Sequence, residues 1–188
     1  RLSRSNREFV YENRIAYDNL VKYIGTKFES ILDNPKLFGL KVKENFNIDK
    51  VARYNSSLHE IEFNPRLMLR NNFSERSVSA IINEEVIHAV NNIVSYNINR
   101  QKQLSKGQGV PTFDKASPAD RLQSFFDITT NFAKKLTDTQ RKSIEDIYNN
   151  GIKMTDFQAG NEYLARALQN FSYGVLSEEA TFTDAKVL

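Results

Sequence analysis

The sequence predicts an α+β protein, on three observations. Apolar residues recur at helical spacing near both ends of the chain. Between Leu37 and Asn64 the period shortens to two, as it does in strands. A further segment, about Glu75 to Asn97, is apolar over most of a helical circumference, which is how a helix central to its domain reads.

The elements follow in order. Phe9, Ile15, Leu20, Ile24, Phe28 and Leu32 keep helical spacing and predict one helix from about Arg7 to Leu32. Asp33-Asn34-Pro35 ends it, because Pro cannot continue a helix and restricts the residue before it. Leu40 and Val42 alternate with Lys41 and Lys43, and Leu58, Ile61 and Phe63 sit among His59, Glu60 and Glu62. These predict two or three short strands in a mixed or antiparallel sheet, with turns at Asn45–Asp49 and Asn55–Ser57 and with Pro65 closing the last strand. Ser74 is a good N-cap for the long apolar helix. Residues 98–116 carry two Gly, one Pro and several Lys and Gln, and predict a mobile surface loop. Ser117 with Pro118 opens a helix whose stripe is Leu122, Phe125, Phe126, Phe132 and Leu136. Thr137-Asp-Thr-Gln140 is a capping box for a helix running to about Asn149 and ended by Gly151. A last helix is expected from about Asn161 to Asn170, and a weakly periodic tail after Gly174.

Composition narrows the chemistry. The chain has 188 residues, 26 Lys or Arg against 23 Asp or Glu, a formal charge of +3, no Cys and two His. Disulfide scaffolds, Cys-based zinc sites and a catalytic thiol are excluded. The sequence has no apolar run long enough to span a membrane and no secretory signal pattern. Residue 1 is Arg rather than Met, and the mix is rich in Asn, Lys and Ile; a piece of a longer translation product is expected.

The informative segment is Ile81-Ile-Asn-Glu84-Glu85-Val-Ile-His88-Ala-Val. At about 100° per residue, with Glu84 at 0°, His88 falls near 40°, Glu85 near 100°, Asn92 near 80° and Ser95 near 20°. The polar groups therefore share one arc of an otherwise apolar helix. Two carboxylates and an imidazole inside a core are costly unless compensated, and a divalent cation compensates them. Glu84 and His88, at i and i+4, point the same way, the spacing with which two helical side chains bind one ion. Simpler readings stand beside this. Glu85 and His88 fit a helix-face hydrogen bond, and Glu162 and Arg166, at i and i+4, fit a surface ion pair. His59 is read as a strand residue facing solvent or substrate. A di-iron bundle would need a second Glu-x-x-His, and the sequence has none.

On these residues the chain resembles the zincin metallopeptidases, whose helix carries His-Glu-x-x-His. Glu85 matches the general base and His88 the second metal ligand, while Glu84 stands where the family has its first His. A carboxylate binds zinc, but a more anionic shell leaves it a weaker Lewis acid. Leu58-His-Glu60-Ile61-Glu62-Phe-Asn-Pro65 is similar to the family's edge strand, which aligns peptide substrate by β-addition. Gly160-Asn-Glu162-Tyr-Leu-Ala-Arg166 is similar to the glutamate helix of zincin-like domains in phage and mobile-element polyproteins, and Glu162 matches the third ligand.

The resemblance implies a zincin-like fold, a small three-stranded sheet packed on a central active-site helix with surrounding helices. The expected organisation is an N-terminal helix at 1–35, the zincin-like domain at 36–175 with its mobile loop at about 98–116, and a tail at 176–188, the resemblance itself covering roughly residues 50–170. The implied activity is peptide-bond hydrolysis with zinc or another divalent cation on Glu84, His88 and Glu162. Glu85 is then the catalytic base, Tyr163 or Tyr173 assists the oxyanion, and Glu60, Ile61 and Glu62 bind substrate. The implied partners are a peptide or protein substrate, in the cytoplasm of a bacterial host or in a virion. Two alternatives carry other chemistry: an inactive structural or cargo protein of a virion, in contact with its other subunits, and a nucleic-acid-associated accessory domain touching its ligand through Lys102, Lys106 and Lys115.

Overall fold

The computed structural model describes residues 2–177 and shows an α+β protein. The described residues hold α1 (Arg4–Glu12), α2 (Arg14–Leu32), β1 (Lys41–Glu44), β2 (Ala52–Asn55), β3 (Glu60–Phe63), α3 (Pro65–Arg70), α4 (Glu75–Leu104), α5 (Pro118–Ala133), α6 (Asp138–Asn149) and α7 (Asp156–Ser177). The chain divides into two compact units, residues 1–89 and 90–188. None of the described helices is long and apolar enough to cross a membrane.

In the first unit the single N-terminal helix of the sequence reading is two. Asn13, at φ −115° and ψ 24°, leaves helical geometry, and its Nδ2 donates to the Phe9 carbonyl. Asn competes in this way for the backbone acceptors a continuing helix would use. The apolar spacing survives the break, and Ile24 and Phe28 of α2 are buried.

The sheet is mixed, in the order β1-β3-β2, with β3 parallel to β1 and antiparallel to β2. The period of two does what alternation requires. Ile61 and Phe63 are buried in the core, and Glu60 and Glu62 lie on the opposite face. There Lys43 pairs with Glu60, Arg53 Nε donates to Glu62 at 2.6 Å, and Asn45 Nδ2 donates to the other Glu62 oxygen at 3.1 Å. Burial pushes the Glu62 carboxyl up, but hydrogen bonds from Arg53 and the two Asn side chains at 45 and 55 outweigh it and hold the carboxyl below its ordinary 4.5. A carboxyl that gives up its proton more readily when folded stabilises the fold fully above 4.5, and the contribution is lost as pH falls through the lower, folded value. The urea midpoint should therefore drop between pH 6 and pH 3, and Arg53→Met should flatten that drop.

Pro65 closes β3 and also opens α3, a helix absent from the sequence reading. Asn64 organises this corner. Its Oδ1 accepts from the Arg66 and Leu67 amides, and its Nδ2 donates to the Phe46 and Ile48 carbonyls.

Helix α4 runs seven residues further than the spacing suggested, to Leu104, into the segment read as a loop. The rest of that segment is tied down within the second unit. Tyr96 Oη donates to the Pro111 carbonyl at 2.8 Å, Arg100 Nε to Val110 at 3.0 Å, and Phe113 is fully buried. The two caps read from the sequence form as expected. Ser117 Oγ accepts from the Asp120 amide, and Thr137 and Gln140 make the reciprocal capping box. Helices α5 and α7 pack through Phe125 and Phe126 against Phe157, at ring separations of 5.3 and 5.4 Å. The last helix starts at Asp156, five residues before the expected Asn161, and the tail from residue 178 lies outside the described residues.

Candidate metal centre

Helix α4 places the candidate ligands. Glu84 and His88 stand one turn apart, each with a ligand atom within 4.8 Å of the other's. His88 is buried and Glu84 half-buried. Among the described residues no Lys, Arg or hydrogen-bond donor meets the Glu84 carboxylate. A partly desolvated carboxylate without a counter-charge is the arrangement a cation stabilises. The rest of the polar arc is buried as the wheel implies, with Asn92 at 0 % and Ser95 at 3 % exposure. Asn91, at 4 %, joins them and was missed in the sequence. Its wheel position near −20°, beside Glu84, was the available signal.

Glu85 is engaged elsewhere on the first unit. Its Oε2 accepts the backbone N–H of Tyr54 on β2 at 2.6 Å. The direction of that N–H follows from the ladder. Asn64 N–H donates to the Val51 carbonyl, so residues 51, 53 and 55 bond toward β3 while residue 54 presents its N–H and carbonyl outward. Glu85 therefore covers an edge-strand donor.

Glu60, Ile61 and Glu62 are not where substrate pairing needs them. β3 is the central strand and both of its sides are hydrogen-bonded, so the expected edge strand is corrected to an interior one. Glu60 and Glu62 are paired with cations, and Ile61 is core.

His59 is likewise corrected. It lies in the turn before β3 rather than in a strand, with φ +55°, and is 4 % exposed. Its Nε2 meets the Leu37 carbonyl at 2.6 Å, an acceptor only, so Nε2 carries the hydrogen. Nδ1 lies 2.8 Å from Tyr54 Oη and accepts from it in the neutral ring. The two bonds hold a left-handed backbone that a non-glycine residue adopts at some cost.

In the second unit Glu162 is half-buried on α7, two residues past Gly160, which packs against α5. Arg166 is exposed and pairs with no carboxylate among the described residues, so the surface ion pair with Glu162 does not form. Tyr163 Oη accepts from Gln140 Nε2 at 2.9 Å, and its ring packs on Ile144, Met154 and Ala159, which gives it a structural role in this unit. The side chain of Tyr173 lies outside those described.

Comparison with known proteins gives no match: no family model, no curated protein and no solved structure is similar to this chain.

Proposed function

We propose that the chain carries a zincin-like metal centre that hydrolyses peptide bonds, with zinc or another divalent cation held by Glu84, His88 and Glu162. The observation that carries this reading is the Glu84–His88 pair, with ligand atoms within 4.8 Å and a Glu84 carboxylate that meets no Lys or Arg among the described residues. One imidazole and two carboxylates are a donor set that zinc, manganese and iron accept. When bound, such a cation polarises a peptide carbonyl and acidifies water. Glu85 takes the proton of the attacking water and delivers it to the leaving amine. To do so it uses the carboxylate oxygen that Tyr54 does not hold, or lets go of Tyr54.

The test is metal content followed by turnover. Dialysed protein should retain one zinc per chain by elemental analysis, and Glu84→Gln and His88→Ala should each weaken zinc binding at least about tenfold. Zinc-loaded protein should cleave fluorescein-labelled casein, and Glu85→Gln should keep the metal while losing about 10²–10⁴ in rate, the usual worth of a general base. Protein that retains no metal, or cleavage that persists in Glu85→Gln, refutes the proposal.

The bond between Glu85 and Tyr54 favours a second reading, an inactive structural or cargo protein of a virion that keeps a zincin-like fold. In that reading Glu85 is a strand cap, wild-type protein cleaves nothing, and chelators leave its assembly unchanged.

A further inference from the structure

We infer that the second unit binds the phosphate backbone of a nucleic acid at the corner where α4 ends and α5 begins. The binding uses none of the candidate metal ligands. Charge, geometry and side-chain chemistry within the second unit support it.

Residues 98–121 hold five of the chain's 26 Lys and Arg and two of its 23 Asp and Glu. Their net +3 equals the formal charge of the whole chain, so the remainder is balanced. An excess confined to one corner attracts a polyanion far better than the same charge spread over a surface. Lys102, Lys106 and Lys115 are exposed, and none of them makes an ion pair among the described residues. Asp114 and Asp120 make none there either, and Asp120 accepts from Ser117 Oγ at 2.7 Å.

Three exposed lysines alone are an ordinary solvated surface. The two arginines make the difference, because each is already held. Arg100 Nε donates to the Val110 carbonyl at 3.0 Å, and its two Nη groups meet no acceptor among the described residues. Arg121 lies over the Phe113 ring, with Cζ 5.0 Å from the centroid, and its buried Nε has no partner. Both side chains are half-buried and neither meets a carboxylate among the described residues. A partly desolvated guanidinium without a counter-charge is what an anion stabilises. A guanidinium whose stem is fixed also loses little freedom in making paired bonds to phosphate. Gln101, Gln103 and Gln108 alternate with the cations along the chain. Their amides bond phosphate and sugar oxygens and gain nothing from acyl chains, which favours nucleic acid over a lipid surface. The one aromatic ring in residues 98–121, Phe113, is fully buried, so bases find no exposed ring there to stack on. The contact is therefore with phosphates, and a duplex of any sequence supplies them.

The test titrates full-length protein into a fluorescein-labelled, mixed-sequence DNA duplex and reads fluorescence anisotropy. EDTA is present throughout, so the outcome is independent of the metal centre. Over about 50 to 200 mM NaCl the affinity should fall with a log–log slope of about 4, since each neutralised phosphate contributes about 0.9. Changing Lys102, Lys106 and Lys115 together to Gln should weaken binding at least about tenfold and reduce the slope by about 2 to 3. Changing Lys22, Lys27 and Lys36 to Gln removes the same charge from exposed positions of the first unit and should leave the affinity within about twofold. Arg121→Lys keeps the charge but loses the flat fork, and should weaken binding about threefold. The lysine variants, altered at exposed positions alone, keep the test decisive if the arginine variant is poorly folded. No binding to the duplex, or equal losses in the two triple variants, overturns the inference. So does an affinity for poly-Glu, or for phosphatidylcholine vesicles containing phosphatidylserine, that matches the affinity for DNA.

Discussion

Asn64→Ala should destabilise the first unit by about 3 kcal/mol, read as a lowered urea midpoint with an unchanged slope. One side chain, 3 % exposed, satisfies four backbone groups. The Ala variant removes the cap of α3, worth about 1 kcal/mol. It also leaves the Phe46 and Ile48 carbonyls without their donor, and each such loss in a buried place costs about 1 kcal/mol or more. Asn64→Asp separates the two contributions. The carboxylate still caps α3, but it has no hydrogens for the carbonyls and sets a negative charge against them, so it should be no better than Ala.

Gly160→Leu should destabilise the second unit by about 3 kcal/mol, and Gly160→Ala by roughly half as much. A Cβ at this position would lie 2.5 Å from the Thr129 carbonyl oxygen, 3.0 Å from Ala133 Cβ and 3.1 Å from Thr129 Cγ2. The first contact is with backbone, which yields only if α5 and α7 separate. That strain outweighs the roughly 1 kcal/mol that Ala gains over Gly in a helix interior. Ala159, its buried neighbour, should lose about 1–2 kcal/mol on change to Gly, from helix propensity and one lost core methyl, with no clash against α5, and so reports whether the effect is specific.

Much of the local structure was legible because its causes are local. Ser117 and Pro118 at one helix start, and Thr137 with Gln140 at the next, act within four residues, and both caps form as read. Alternation around Ile61 and Phe63 marked a strand because one of its faces is apolar. The same signals misled where a neighbour in space had the deciding vote. Gly107, Gly109 and Pro111 suggested a loop from residue 98, yet α4 continues to Leu104 before the chain turns. Tyr96 and Arg100 then hold the returning backbone at Pro111 and Val110, which no spacing rule encodes.

The candidate site divides along the same line. That Glu84, His88, Asn92 and Ser95 share an arc follows from 3.6 residues per turn, so the sequence alone determines it. It also determines that any metal held through His88 finds no thiolate and at most one further imidazole, since Cys is absent and His59 is the only other His. The tertiary structure decided three things: that β3 is the central strand, that His59 is bound between Tyr54 and Leu37, and that Glu85 reaches the outward N–H of Tyr54. The reason is physical. Strand order and edge exposure depend on which segments pair, and a period of two is identical in a central strand and an outer one.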